Sequence, residues 1–571
     1  MEEMTQRERV TIDRLSTGVP HLDEVLGGGL PRYSMHVIAG GPGTGKTTLA
    51  QQIMFANAAP DRVAIYFTVL GEPTLKLLRF QQQYTFFDLD KVGKSIHFIN
   101  LSDTVRRLGL KRTLDALNGY VAKYIPELVV VDSFRTLLIS SAGETPRDLQ
   151  SFLHDLSVQL AGWQTTSILV GEYGREELVG NPAFTVADGI LWLTQEIERN
   201  SVIRKLQVLK MRGQAHLAGL HTFRISEQGL HVFPRFPEIA VPSPVEVSTK
   251  RESIGIAGLD EMMGGGIPEG EAILVAGPSG TGKTIATLQF LVEGVRQGEP
   301  GVMVTFEESP EEHIRKALSF GWDLRKMVAD NLLELIYLRP VDLTVEEVLE
   351  WLEQAVARTG AKRVVINSVS GFELAIAPSE REDFREALYR FSRGFLGRHI
   401  TLMMTSETPG IFAEPYPSFY RISFLTDNIV LFRFVEIESR LALALAVVKM
   451  RTSAHSRDLR EYAITERGIE VGAPFVDYSG VLTGIPTPVL PTETLVRRLS
   501  DEERTVLRVL MERGEQTATQ VAQHGNLDER LVERLLAGLS RRSLVAQVVE
   551  PDRVTFHAIL PEPRGQRNSA W

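Results

Sequence analysis

The sequence predicts an α/β protein: two tandem P-loop domains with mostly parallel sheets, followed by a small C-terminal domain of helices and short strands. Three observations carry this. STGVPHLDEVLGGGLP (16–31) returns as SIGIAGLDEMMGGGIP (253–268), and IAGGPGTGKT (38–47) returns as VAGPSGTGKT (275–284). The offset is 237 from Ser16 to Ser253, from Lys46 to Lys283 and from Pro73 to Pro310, so one domain has been duplicated. Within each copy β-rich runs alternate with amphipathic ones, the pattern of βαβ units on a parallel sheet.

The elements follow in order. MHVIAG, RVAIYFTV, ELVVVDS and TSILVGE read as buried strands in the first copy. EAILVAG, GVMVTFE, RVVINS and ITLMMTSE match them in the second, with helical segments such as PEEHIRKALSF between. Each copy closes on hairpin-like material, GILWLTQEIERNSVIRKLQVLKMRG in the first, and the late signature LKMRG (209–213) returns as VKMRT (448–452). LALALAVV (441–448) is too short to span a bilayer and reads as a buried strand. The expected domains are 1–240 and 241–477, a Pro/Gly/Thr linker over 478–498, a small domain over 499–560 and a tail over 561–571.

Composition fits a soluble globular chain, with 43% hydrophobic and 23% charged residues among 571. With no cysteine, disulfides and cysteine–metal sites are excluded. The charged start MEEMTQRERVTID does not read as a secretory signal, so cytoplasmic residence is the default expectation. A formal charge of −10 gives nucleic-acid binding no general electrostatic support.

Gly40, Gly41, Pro42, Gly43, Thr44, Gly45, Lys46, Thr47 and Thr48 form one P-loop; Gly277, Pro278, Ser279, Gly280, Thr281, Gly282, Lys283 and Thr284 form the other. Each follows an apolar run and opens a helix. There the backbone N–H groups and the helix N-terminus hold phosphate, the lysine reaches the β/γ-phosphates, and the threonine hydroxyl ligates Mg²⁺. The expected cofactors are ATP and Mg²⁺.

A Mg²⁺ site also wants an acid at the tip of a neighbouring strand. LVVVDS supplies Asp132, whereas RVVINS supplies Asn367. The strand beside each P-loop ends in TVLGEP (68–73) in the first copy and TFEESP (305–310) in the second, so Leu70 and Gly71 stand where Glu307 and Glu308 stand. Carboxylates at that strand end can orient and deprotonate an attacking group, worth roughly 10²–10⁴ in rate; the bland alternative is a solvated acidic turn. Glu72 is displaced by one residue, which turns a side chain on an extended strand to the other face. The candidate Mg²⁺ ligands are Thr47, Thr284, Asp132 and Glu308. Lys210 and Arg212, and Lys449 and Arg451, lie far in sequence from their own P-loops. They are either surface cations on a strand or a set delivered to a neighbouring subunit's γ-phosphate.

On these motifs residues 10–477 resemble the KaiC-like family of RecA-like double-domain ATPases, including the circadian clock protein. The GLDEMMGGGIPEG lead-in, both P-loops, TFEESPEEHIRKALSFGWDL (305–324) and both KMR motifs carry the resemblance. It implies two stacked rings in a hexamer, ATP bound between subunits, and the KMR lysine and arginine acting across that boundary. It further implies autophosphorylation of an adjacent Ser-Thr pair before a T-D-x-I-x-L strand. In RISFLTDNIVLF (421–432) Ser423 matches the serine and Phe424 replaces the threonine, so Ser423 is a single-site candidate beside the reading of an ordinary interface serine.

The C-terminal region departs from that family. Helical spacing, a Gly514 turn, TATQVAQH, a second amphipathic helix and the β-like runs VAQVV and RVTFH resemble a winged helix. From Leu499 onward there are ten arginines, no lysine and eleven acids. Asp528 and Glu529 occupy the first turn of the would-be recognition helix, where they cap but repel phosphate. A protein-interaction module or lid is therefore favoured over a DNA reader. The leading reading is a ring-forming ATPase with possible serine autokinase activity. A nucleic-acid-dependent RecA-type ATPase and an ATP-gated scaffold are the alternatives.

Overall fold

The computed structural model describes residues 12–69, 74–139, 146–198, 201–235, 250–338, 343–376, 381, 384–396, 398–408, 426–437, 439–475, 478–479, 481, 487–488, 499–541, 544–550 and 553–559. The first copy builds a nine-stranded sheet from β1 (Met35–Gly40), β2 (Ala64–Thr68), β3 (Ile96–Asn100), β4 (Leu128–Asp132), β5 (Thr166–Glu172), β6 (Gly189–Glu198), β7 (Ser201–Met211), β8 (His221–Ser226) and β9 (Gly229–Phe233). Their spatial order is β9-β8-β7-β6-β1-β5-β4-β2-β3. The six strands from β6 to β3 in that order run parallel, and the edge beyond β6 turns antiparallel through hairpins.

The second copy repeats this plan with β10 (Ala272–Gly277), β11 (Gly301–Thr305), β12 (Leu333–Tyr337), β13 (Arg363–Asn367), β14 (Thr401–Glu407), β15 (Asn428–Ile437), β16 (Arg440–Met450), β17 (Arg460–Thr465) and β18 (Gly468–Pro474). Read from the same edge, its order is β18-β17-β16-β15-β10-β14-β13-β11-β12, strand for strand the first sheet. All eight strands read as buried runs in the sequence are present, as are both closing hairpins. Their order differs from expectation: β5 and β14 insert next to the P-loop strands, so β4 and β13 lie one strand further out and β2 and β11, expected beside the P-loops, two strands further out.

Parallel strands are covered on both faces, which is why they read as continuous apolar runs rather than as alternating ones. In the first domain Ile65, Phe67, Val129 and Val131 pack on one side, and Ala64, Tyr66, Leu128 and Val130 on the other. The second domain divides its core in the same way. The run LALALAVV departs from expectation: it is strand β16, but only Ala444–Val447 are buried, while Leu441 is 61% and Val448 50% exposed. A hairpin arm that outruns the sheet core leaves its ends in solvent.

The repeated lead-in is structural. Asp23 accepts hydrogen bonds from Ser16 Oγ (2.6 Å) and Thr17 N (2.8 Å), and Asp260 does the same with Ser253 Oγ (2.6 Å) and Ile254 N (2.8 Å). Helix α1 (Lys46–Asn57) follows the first P-loop and α2 (Lys283–Arg296) the second. Helix α3 (Pro310–Leu318) starts in a capping box between Ser309 and Glu312. Helix α4 (Val345–Thr359) begins in another, Thr344 with Glu347, and touches the first domain: Arg224 of β8 donates to Glu347 Oε2 at 3.0 Å.

Beyond Leu499 the chain forms α5 (Asp501–Arg513), β19 (Gln516–Thr517), α6 (Ala518–Gly525), α7 (Glu529–Arg541), β20 (Val545–Glu550) and β21 (Arg553–Ala558). The strands make one small antiparallel sheet, β19-β21-β20. Val506, Leu510, Val521, Val532, Leu536 and Leu539 form a core of their own. Asp528 caps α7 by accepting from Leu531 N at 3.1 Å. Among the described residues no helix is long and apolar enough to cross a membrane.

Candidate functional site

Both P-loops sit where β1 and β10 hand over to α1 and α2, at the carboxyl end of a central parallel strand, where open α/β sheets bind ligands. The glycines are needed for geometry. A Cβ on Gly40 would lie 2.0 Å from Leu193 O, and one on Gly277 2.5 Å from Phe432 O. Gly45 (φ 92°) and Gly282 (φ 87°) take the left-handed conformation just ahead of the lysines. Thr44 Oγ1 donates to Gly41 O at 2.9 Å and Thr281 Oγ1 to Pro278 O at 2.8 Å, stapling each loop alike.

A cavity of ≈ 580 Å³ lies at the first loop, lined by Gly43, Gly45, Lys46, Thr47, Thr48 and Asp132 among the anticipated residues. Its counterpart of ≈ 260 Å³ is lined by Ser279, Gly280, Gly282, Lys283, Thr284, Glu307, Glu308 and Asn367. Lys46 Nζ donates to Gly41 O at 2.6 Å, and Lys283 Nζ to Pro278 O at 2.8 Å. Burial pushes both ammonium groups below the ordinary lysine range, opposed by Glu172 and Asp132 at Lys46 and by Glu407 and Glu307 at Lys283.

In the first site Asp132 Oδ2 accepts from Thr47 Oγ1 (2.7 Å) and Tyr66 OH (2.5 Å). Burial raises this carboxyl above its ordinary value, opposed by those two hydroxyls and Lys46. In the second site Asn367 Oδ1 accepts instead from Thr405 Oγ1 at 2.8 Å. Met303 stands where the first copy has Tyr66, and Thr405 where it has Val170.

The two acids of the second copy take different partners. Glu307 accepts from Ser368 Oγ at 3.0 Å and packs over Gly371, whose Cβ would fall 2.6 Å from Glu307 Oε1. Glu308 is engaged by Lys316 of α3, at 2.8 and 2.9 Å, with His313 Nδ1 at 3.4 Å. Glu307 is thus the acid beside the P-loop lysine and the tip of β13, whereas Glu308 is held toward α3. Residues 70–73, including Glu72, lie outside the described residues, and so does Ser423 with its neighbour Phe424.

The KMR cations lie elsewhere. Lys210 pairs with Ile190 and Lys449 with Ile429, at the starts of β6 and β15, the end of each sheet opposite its P-loop. Lys210 Nζ donates to Thr185 O (3.1 Å), and Arg212 pairs with Asp188 (3.2 Å). Lys449 Nζ donates to Thr426 O (2.7 Å), with Arg451 3.7 Å from Asp427. None of the four lines its own domain's cavity.

Sequence reading missed Glu172 and Glu407. Each ends the strand beside the P-loop strand, opposite Gly40 and Gly277 respectively, and each lines its cavity. The signal was present, since TSILVGE and ITLMMTSE both close on glutamate. Tyr66 and Lys316 were missed for another reason: one lies mid-strand and the other well inside α3, eight residues past Glu308, and only packing turns them to the site. Of the four anticipated Mg²⁺ ligands, Thr47 and Asp132 meet at the first loop, and Thr284 and Glu308 line the second cavity together with Glu307 and Asn367; oxygen donors of this kind suit a hard divalent cation. Mg²⁺ held by these residues would neutralise phosphate charge.

The KaiC ATPase family profile matches twice, over residues 15–236 and 253–475. Curated relatives include the circadian clock oscillator protein KaiC of Rippkaea orientalis, 28% identical over 502 residues, covering 86% of this chain and 94% of the relative. Another is circadian clock oscillator protein KaiC 1 of Synechocystis sp., 29% identical, covering 84% and 93%. That of Thermostichus vulcanus is 27% identical, covering 88% and 95%. With a nucleotide-binding loop in each half and both halves matched in register, the chain belongs to the KaiC family of ATPases.

Proposed function

We propose that the protein is a ring-forming regulatory ATPase, a hexamer by analogy with the family, in which ATP·Mg²⁺ lies at subunit boundaries and turnover resides in the second domain. The observation that carries this is the position of the KMR cations. Each set is fixed at the end of the sheet opposite its own phosphate loop, which supports action on a phosphate of a neighbouring copy. An arginine supplied in trans is worth 10³–10⁵ in rate.

Glu307 and Glu308 are the candidate bases for the second site. The same carboxylates would serve transfer to Ser423, as an autokinase, if that serine is brought to the γ-phosphate of a neighbour. The relatives' names give a clock role as the family context for such a cycle. Light scattering with saturating ATP·Mg²⁺ tests the reading: a ring-sized particle is expected, with assembly impaired more by Lys46→Ala than by Lys283→Ala. A monomer under those conditions overturns it, because nucleotide that binds between subunits must favour the assembled state.

The unit beyond Leu499 is proposed to be a winged-helix-like protein-interaction module. The acid that caps α7, Asp528, stands where a DNA reader would contact phosphate or base edges. Fluorescent duplex DNA should bind weakly and without sequence preference at physiological salt. Sub-micromolar, selective binding, or DNA-stimulated turnover, would favour the nucleic-acid-dependent reading instead.

A further inference from the structure

His21, His231 and Glu350 converge where the first ATPase domain meets the second. His21 precedes the short helix Leu22–Leu26, His231 lies mid-way along β9, and Glu350 projects from α4 of the other domain. Glu350 Oε1 lies 3.2 Å from His21 Nε2 and 2.9 Å from His231 Nε2, with Oε2 3.0 Å from His231 Nε2. One donor atom from each of the three residues falls within 4.8 Å of the others. We propose that His21, His231 and Glu350 form a divalent transition-metal site, of the zinc class, that ties the two ATPase domains together.

Four features favour this. Two imidazoles and one carboxylate are a borderline-soft donor set of the kind that holds Zn²⁺ with one position left for water. Metal–ligand bonds near 2.0–2.1 Å at tetrahedral angles separate ligand atoms by ~3.3 Å, so the two His–Glu spacings of 3.2 and 2.9 Å need only a small expansion to admit an ion, and the third edge, between the imidazoles, lies within 4.8 Å. One outer contact orients a ligand: Gln354 Nε2 donates to Glu350 Oε1 at 2.9 Å. Glu24 Oε2 stands 3.6 Å from His21 Nδ1, on the other ring nitrogen, close enough to favour the imidazole's orientation by charge though not by a hydrogen bond.

The duplication supplies the fourth feature. The second copy has Gly258 in place of His21 and Glu470 in place of His231, so both histidines occur only in the copy whose edge meets α4. His21 also sits in the left-handed region (φ 59°), a conformation that costs a non-glycine residue energy. Generic folding of the lead-in does not require it, since Gly258 takes no positive φ. A plain hydrogen-bonded His–Glu–His contact is the alternative, and it predicts no metal.

The experiment uses the full chain, stripped with chelator and desalted into excess Mg²⁺ so that the nucleotide sites take their own ion. Zn²⁺ is added, and metal retained after a second desalting is counted by mass spectrometry; Co²⁺ is added in parallel and its visible absorption followed. Wild type should retain one Zn²⁺ per chain and show a low-coordinate Co²⁺ band. Glu350→Gln, which keeps the side chain's volume, and His21→Asn, whose residue type tolerates the left-handed region, should lose both signals, with affinity down at least tenfold. Zn²⁺ should raise the melting temperature of wild type and not that of Glu350→Gln. Equal retention by wild type and both variants, or no retention by wild type at micromolar Zn²⁺, overturns the site and leaves the hydrogen-bonded contact.

Discussion

The two P-loop sites share a scaffold and differ in how each supports the residue at the tip of β4 or β13, the strand one removed from the P-loop strand. In the first, a charged Asp132 is matched by two hydroxyl donors, Tyr66 and Thr47. In the second, the neutral Asn367 is matched by one, Thr405, and Tyr66 has given way to Met303. A buried carboxylate without donors is costly, so the charge and its hydroxyls go together. Once the charge is gone the tyrosine has nothing to satisfy and an apolar side chain packs in its place. The second site keeps instead a pair of acids, Glu307 and Glu308, at the adjoining strand end. On the proposed reading each half therefore retains a different part of an ATP-hydrolysing centre.

The largest effect should come from the cation delivered between copies. Arg451→Ala should cut second-domain turnover by about 10³-fold or more, and mixing it with Lys283→Ala subunits should restore part of the rate, since each chain then supplies what the other lacks. Arg212→Ala should cost far less in total turnover. Equal losses from the two arginines would break the assignment of chemistry to the second half.

Next come the acids. Glu307→Gln with Glu308→Gln should lower turnover by roughly 10²-fold or more. Of the single variants Glu307→Gln should be the more severe, because Glu307 lies beside Ser368 and the P-loop lysine while Glu308 is paired with Lys316. Turnover that survives the double variant and vanishes with Asp132→Asn would place the working site in the first half.

Smaller effects concern stability. Tyr66→Phe removes a donor from buried Asp132 and should cost about 1.5–3 kcal/mol in the first domain's denaturation, whereas Met303→Leu should cost under ~1.5 kcal/mol in the second. Denaturant midpoints of the separate transitions test both.

The smallest effect is one of pH. Because burial holds the Asp132 carboxyl above its ordinary 3.8, the folded chain keeps its proton to higher pH than the unfolded chain does. Stability is then lost as pH rises from about 3.8 through the folded value, and the deficit stays constant above it. Nucleotide-free Asp132→Asn should accordingly melt slightly higher than wild type at pH 7, with the two curves converging below pH 4. A variant that melts lower at pH 7 would show that the hydroxyl contacts outweigh the burial of charge.

Duplication, both phosphate loops and eight parallel strands were legible in the sequence because they depend on local pattern. A glycine forced by backbone approach, an apolar run buried on two faces, and a lysine at a helix start each leave a fixed signature at short range. Asp132 and Asn367 were legible too, as the polar ends of apolar strands. What stands opposite them was not. Tyr66 reaches Asp132 across a strand pair, Glu172 and Glu407 meet the P-loop lysines only through the register of β5 on β1 and β14 on β10, and Lys316 pairs with Glu308 from α3. The meeting of His21 and His231 with Glu350 lies further still from any local pattern, since it joins residues over 300 positions apart. By itself the sequence determined the repeated scaffold and its phosphate chemistry. The partners of each strand-end group, and the contact between the two halves, were decided by the tertiary structure, because hydrogen bonds and ligand sets form between side chains that only packing brings within 3 Å or so.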